Sequence, residues 1–366
     1  MNDWLHKIAL TKIPKVGPVT AKNLISYCGG IEGVFAARKR ELIKVPGIGL
    51  GIAEQILKKD YFKEAEAELH FIEKQAIQPL FFLEDAYPAR LKPIDNAPIL
   101  LYYKGTANLN HARIVSIIGT RKPSTLGVAT CEQLVEDLAA YEVLIVSGLA
   151  YGIDVTAHKT CLAENIPTVG VLGHGLQKIY PAQHRSIAYK MIEHGGLLTE
   201  FTSNTEADRE NFPMRNRIVA GMCDAVVVVE TAKKGGSIIT AHFANDYNKD
   251  VFAFPGRVND KHLQGCNHLI KTHKAALIES AKDIGYILRW EEVDQQKNNT
   301  QGQLFVNLTD QEQSIVDLLK NKEGMGIDQL TYETNIASSQ LAPILLGLEF
   351  KGLLKTIPGK RYLLIK

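Results

Sequence analysis

Long apolar runs are missing from this chain of 366 residues. Its longest uninterrupted apolar stretches, such as Ala225 to Val229, are a handful of residues, against the roughly 18 that a membrane-spanning helix requires. That excludes a transmembrane helical protein. Cysteine is scarce: Cys28, Cys131, Cys161, Cys223 and Cys266 are odd in number and scattered. With no C-x-x-C pair, neither a zinc site nor a thiol-exchange centre is expected, and the five read as reduced cytosolic thiols. The N-terminus, Met1 to Lys7, has no basic leader followed by an apolar core, so export is not expected and the cytoplasm is the expected location. An excess of charge of one sign is also absent. The net charge is +2, which at first sight argues against a nucleic-acid binder.

That total conceals a basic head. Residues 1 to 60 carry ten Lys/Arg against five Asp/Glu, residues 309 to 366 carry seven of each, and the middle carries 25 against 28. The pattern changes at the same places. Residues 1 to 70 alternate helical periodicity with the punctuation Pro14, Gly17, Pro46, Gly47, Gly49 and Gly51, which predicts short helices and tight turns. Residues 71 to 290 hold short β-branched runs, Ile114–Ile118, Val143–Val146, Thr168–Leu172, Ala225–Val229 and Val251–Phe254, separated by amphipathic helices. Near-continuous apolar strands alternating with helices predict an α/β fold, a Rossmann-like doubly wound parallel sheet. Residues 291 to 307 are polar and aperiodic and read as a linker. In residues 308 to 366, the capping box Thr309-Asp310-Gln311-Glu312 starts a helix. Helices near Ile327–Tyr332 and Ser339–Phe350 follow, then a hairpin of Leu353–Thr356 and Tyr362–Ile365 around Pro358-Gly359-Lys360, the outline of a winged helix.

Several segments carry chemistry. Val45-Pro46-Gly47-Ile48-Gly49 has the glycine spacing of a helix-hairpin-helix turn, in which bare backbone N–H groups can approach a DNA phosphate. Ile13-Pro14-Lys15-Val16-Gly17 is similar, with Lys15 in place of the first glycine. Both hairpins either touch DNA or simply fold a small helical domain. In the sheet, the first run ends in Gly119-Thr120-Arg121, and the second in Ser147-Gly148-Leu149-Ala150-Tyr151-Gly152 with Asp154 and His158 beyond. His158 reads first as a core histidine. The third leads through Gly173-His174-Gly175 to Tyr180-Pro181. No G-x-G-x-x-G fingerprint or ribose-gripping acid appears, which counts against a dinucleotide. Phe212-Pro213-Met214-Arg215-Asn216-Arg217 opens a helix. Its arginines, two positions apart, do not share a face, so one can hold phosphate while the other pairs internally. Glu230 closes the fourth run and Gly235-Gly236-Ser237 opens the next helix as an anion nest. Arg121, Arg215 and Arg217 for phosphate, with Tyr151, Tyr180 and Phe212 for stacking, are what single-stranded nucleic acid requires.

In order, the motifs G-T-R, S-G-L-A-x-G-I-D-x-x-A-H, G-x-G-x-x-x-x-Y-P, F-P-x-R-N-R-I-V-A-G, V-V-E and G-G-S-I-I-T-A resemble the DprA/Smf family of bacterial DNA-processing proteins. Tyr87-Pro88-Ala89-Arg90-Leu91 and Ala97 to Gly105 ahead of them, and Phe254-Pro255-Gly256 and Gly265 to Ile270 behind, are similar too. The resemblance covers residues 80 to 290 and, more loosely, both flanks. It implies an extended Rossmann domain that binds single-stranded DNA, works as a homodimer and loads the RecA recombinase during natural transformation. By motif, Gly119, Thr120 and Arg121 would contact phosphate, and Ser147, Gly148 and Gly152 would shape the adjacent turn. Arg215, Asn216 and Arg217 would form a wall that Gly235, Gly236 and Ser237 close. The resemblance implies no catalytic residue, metal or cofactor. Ala182 stands where many relatives place a basic residue, leaving Arg185 or Lys178 to substitute. The Ser339–Phe350 helix has no Lys or Arg, which favours a protein contact over groove reading. The alternative is a nucleotide phosphoribohydrolase of the lysine-decarboxylase-like type, which needs a glutamate after the nest. None occurs here before Asp246, leaving Glu230 as its substitute.

Overall fold

A computed structural model describes residues 2–292, 308–320, 324–334, 336–351, 353–357 and 361–364. Residues 293–307 of the expected linker, the turn residues Pro358, Gly359 and Lys360, and Ile365 lie outside the described residues. The chain divides into two compact units, Met1–Val293 and Asp294–Lys366.

The first unit begins with six helices, α1 (Asn2–Lys12), α2 (Pro18–Tyr27), α3 (Ile31–Ala36), α4 (Lys39–Leu42), α5 (Leu50–Lys58) and α6 (Tyr61–Lys74). Both glycine hairpins are present. Gly17 and Gly49 occupy the N-cap positions of α2 and α5, where neither has a side-chain cap. Gly47 adopts φ +84° and Lys15, at the equivalent place, φ +65°, so the lysine takes the left-handed conformation that glycine adopts without penalty. The helices share one core, including Ile8, Leu24, Leu42 and Ile56, which continues onto Phe81, Leu100 and Tyr102 of the sheet.

The sheet has nine strands: β1 (Gln78–Phe81), β2 (Leu100–Gly105), β3 (Ile114–Ile118), β4 (Leu144–Gly148), β5 (Thr168–Val171), β6 (Gly195–Thr199), β7 (Ala225–Val228), β8 (Asp250–Ala253) and β9 (Ala276–Leu277). Their order is β1-β2-β6-β5-β4-β3-β7-β8-β9. From β6 to β9 every pairing is parallel, while β1 and β2 pair antiparallel at one edge. The expected parallel sheet is therefore mixed, with the helical domain packed on its antiparallel edge. Every residue of β3 and of β4 is buried, because helices cover both faces. On one side lie α7 (Thr125–Leu138), α8 (Ile153–Ala163) and α13 (Ala281–Leu288). On the other lie α10 (Asn211–Gly221), α11 (Gly236–Asp246) and α12 (Gln264–Lys271). Helix α9 (Arg185–Glu193) packs beside β6 through Ala188 and Met191. Strand order reverses at β3, whose neighbours β4 and β7 are reached in opposite directions, and ligands of open α/β sheets bind at the carboxyl ends around such a point.

The five cysteines are free. Burial pushes the Cys161 and Cys266 thiols up to about 12, so they pack as small apolar side chains. Among the described residues no helix is long and apolar enough to cross a membrane, and no group of three His, Cys, Asp or Glu is placed to hold a metal.

The second unit contains α14 (Asp310–Leu319), β10 (Met325–Gly326), α15 (Ile327–Thr334), α16 (Ser338–Phe350), β11 (Leu354–Ile357) and β12 (Arg361–Leu364). Thr309 accepts from the Glu312 N–H and Glu312 accepts from the Thr309 N–H, the expected capping box. Strands β11 and β12 pair antiparallel and β10 joins the far side of β12. Leu341, Leu345 and Leu348 of α16 enter a core with Ile315, Leu319 and Leu330, while Ala342, Pro343 and Leu346 face solvent.

Candidate nucleic-acid interface

The carboxyl ends of β3, β4, β5 and β7 surround a cleft of about 440 Å³, which continues into a narrow aromatic recess of about 80 Å³. Its first wall is the turn after β3. Thr120 N–H donates to the Glu230 carbonyl and Ile153 N–H to the Thr120 carbonyl, so the turn is held between β7 and α8. Gly152 makes this possible. It has φ +79°, and a Cβ there would lie 2.2 Å from the Thr120 carbonyl oxygen. Arg121 is left exposed with its guanidinium 5.5 Å from the Phe212 ring, a cation–π geometry that aims the charge along the cleft.

The floor is an electrostatic pair. Arg215 is 5 % exposed and Asp154 8 %, and Gly148 lies under both, since a Cβ there would be 2.0 Å from Arg215 Nη1 and 2.4 Å from Asp154 Oδ2. Arg215 Nη1 donates to the Val171 carbonyl at 2.7 Å, whereas its Nε is buried with no partner. Burial raises the Asp154 carboxyl above its ordinary range, opposed chiefly by Arg215. Burial lowers the Arg215 guanidinium, which Asp154 offsets. Each charge thus offsets part of the other's cost of burial.

The opposite wall is the start of α11. Gly235 is its N-cap, and a Cβ on Gly236 would meet nothing within 4 Å, so backbone amides at a helix N-terminus face open space, as an anion requires. Ser237 is buried and its hydroxyl donates to Thr231 Oγ1 at 2.7 Å. Tyr151, Tyr180 and Phe212 line the aromatic recess together with Arg121, His174 and Arg215. The Tyr180 and Phe212 rings stand 6.1 Å apart.

Three residues expected at the site are not in its lining: Gly152, which acts through the turn after β3 as described above, Ser147 and Arg217. Ser147 is fully buried and donates to the Ile117 carbonyl at 2.6 Å, tying β4 to β3. Arg217 pairs with Glu200 and donates to the Asn96 carbonyl at 2.7 Å. The helical twist carries it to a different side of α10 from Arg215, so of the two arginines Arg217 is the internal one. Lys178 instead faces Glu206, 3.6 Å away on the surface, and neither it nor Arg185 lines the cleft. Asp154 joins the site without having been among the residues expected there. Its only signal was an acid within the glycine motif after β4.

His158 is the core histidine it was read as, with Nε2 against the Gly148 carbonyl at 2.6 Å and Nδ1 against Thr168 Oγ1 at 2.7 Å. Burial lowers it from 6.5 to about 4. Below pH 6.5 the unfolded chain binds a proton there that the folded chain refuses until about pH 4, so stability falls as pH drops through that window, by about 3 kcal/mol at its acid end. Urea unfolding across this range should show that acid limb flattened in His158→Gln.

Fold and cleft define a Rossmann-like α/β protein with a glycine-walled, aromatic-edged cleft at its topological switch point, flanked by a helical domain and, in a separate unit, a winged helix. Residues 78–289 match the family described as DNA recombination-mediator protein A, residues 7–59 a SAM-like helix-hairpin-helix tandem, and residues 305–360 a DprA winged helix domain. This chain belongs to the DNA recombination-mediator protein A family, DprA/Smf. It is 31% identical to Protein Smf of Synechocystis sp. over 99% of its own length and 98% of the relative's. It is 37% identical to DNA processing protein DprA of Streptococcus pneumoniae over 61% of this chain and 78% of that one. The X-ray structure of the pneumococcal DprA superposes with a TM-score of 0.67 at 30% identity, covering 80% of this chain and 98% of that one. DNA processing protein A of Helicobacter pylori, whose structure addresses its single-stranded DNA binding mode, gives 0.53 at 27% identity over 59% and 97%.

Proposed function

We propose that this chain is a recombination mediator that binds single-stranded DNA in the switch-point cleft, as a homodimer in the cytoplasm, and loads the RecA recombinase onto strands taken up in natural transformation. The observation that carries the reading is the cleft's chemistry. Arg121, Arg215, Asn216 and the Gly119 and Gly236 N–H groups offer donors to phosphate, while Tyr151, Tyr180 and Phe212 offer flat faces to bases. The pairing is sequence-tolerant because every base has a π-face. The single-stranded DNA binding mode of the H. pylori relative supports it.

Binding to a labelled oligonucleotide across a salt series tests the reading. Neutralising about four phosphates of a single strand predicts a log–log slope near −3. A flat response, or a preference for duplex, would overturn it. The loading step is tested by strand exchange on DNA covered by single-strand-binding protein, with and without the chain. For the winged helix, the uncharged exposed face of α16, with Ala342, Pro343 and Leu346, favours a protein contact over a DNA groove. The phosphoribohydrolase alternative loses support from Glu230. Its carboxylate accepts from Ser124 N–H and Oγ and lies 3.3 Å from His262, outside the cleft lining.

A further inference from the structure

Beyond the main cleft, a second recess of about 270 Å³ opens on the far side of Tyr180. Gln177, Lys178 and Tyr180 line one side and Asn204 and Glu206 the other, with His174 shared with the main cleft. Both walls are held before any ligand arrives. In the first, His174 Nδ1 lies 2.8 Å from the Gly175 carbonyl, and Nε2 lies 3.3 Å from the Tyr180 N–H. In the second, Ser203 donates through N–H and Oγ to the buried Glu68 carboxylate of α6 at 2.9 and 2.6 Å. Gly175 N–H donates to the Thr205 carbonyl, and a Cβ on Gly175 would lie 2.1 Å from the Thr202 carbonyl oxygen. The absent side chain lets the walls join at the base.

We propose that this recess is a second nucleotide site, taking the base adjacent to the one held in the main cleft, with Tyr180 between the two. The inference rests on the single-stranded DNA reading above. Tyr180 is 51 % exposed and lines both recesses, so its ring can stack a base on either side, the arrangement that lets successive bases share aromatic platforms. The amides of Gln177 and Asn204 each offer donor and acceptor to a base edge without fixing its identity. Lys178 and Glu206 face one another at 3.6 Å while 78 % and 84 % exposed. Such a pair holds weakly, and once parted it leaves Lys178 for the connecting phosphate while Glu206 repels the backbone from the opposite rim.

The full chain carrying Gln177→Glu and Asn204→Asp, both at exposed positions, tests the site by anisotropy with fluorescein-labelled (dT)15 and the mononucleotide pdT, which has no adjacent base for the second recess. Arg121→Ala is run in parallel, and the thermal midpoint checks folding. The recess variant should bind (dT)15 about tenfold more weakly, the size of one lost stacked base, and pdT as the parent does. Gln177→Ala with Asn204→Ala, which adds no charge, should show the same length dependence in smaller measure. If Arg121→Ala weakens (dT)15 and neither recess variant does, or if a recess variant weakens both lengths equally, the second site is overturned while the cleft reading stands. If no variant changes (dT)15 binding, the cleft reading fails and takes the second site with it.

Discussion

Arg121→Ala is expected to weaken single-stranded DNA binding by about tenfold or more, the value of a charge-assisted phosphate contact, while leaving the fold intact. The guanidinium is exposed and stands 5.5 Å from the Phe212 ring, a contact worth roughly 0.5–1 kcal/mol at an exposed site. Two further readouts distinguish a phosphate contact from general damage. The salt slope should fall by about 0.7, the share of one phosphate on a single strand, and the loss should be the same for every sequence, because phosphate carries no base information. A loss confined to some sequences would reassign Arg121 to base contact.

Arg215→Met acts on stability first. Removing the guanidinium leaves the buried Asp154 without the positive charge that opposes its burial, which destabilises by a few kcal/mol at most, about 3 as an upper bound for a pair not in direct contact. The pH dependence identifies the cause. Asp154 already titrates above 3.8 in the folded chain, and without Arg215 it titrates higher still, so its contribution to stability falls as pH rises from its unfolded value to its folded one. The variant's deficit should therefore be largest near neutrality and shrink on acidification, measured by urea unfolding against the parent. Adding Asp154→Asn should recover much of the loss, because the orphaned charge is gone. If the double variant is no more stable than Arg215→Met, the deficit lies in packing and not in the pair.

Much of the fold was legible because it depends on local rules. Short β-branched apolar runs predicted β3, β4, β5, β7 and β8 to within a residue or two, since strands buried on both faces must be continuously apolar. The strands that escaped notice lack that pattern. β6 opens with Gly195-Gly196, β2 ends in Lys104-Gly105, and β9 has two residues. These are held by pairing with neighbours remote in sequence, such as Gly196 opposite Gly105. The site divided in the same way. Glycines at strand ends and at the start of α11 marked where a backbone approaches something closely, and the motif order identified the family.

From its sequence alone this protein was committed to an α/β sheet, a pair of glycine hairpins, a capped C-terminal helix and the set of residues from which a cleft is drawn, because periodicity, caps and glycine positions act within a few residues. Tertiary structure decided which of those residues share the cleft. Arg215 and Arg217 are neighbours in sequence with opposite fates. One is held over Gly148 against Asp154, and the other is drawn to Glu200 and Asn96 on loops that only the folded sheet brings within reach. The +2 charge could not have told them apart, since it counts each arginine equally while burial and partners determine what each can bind.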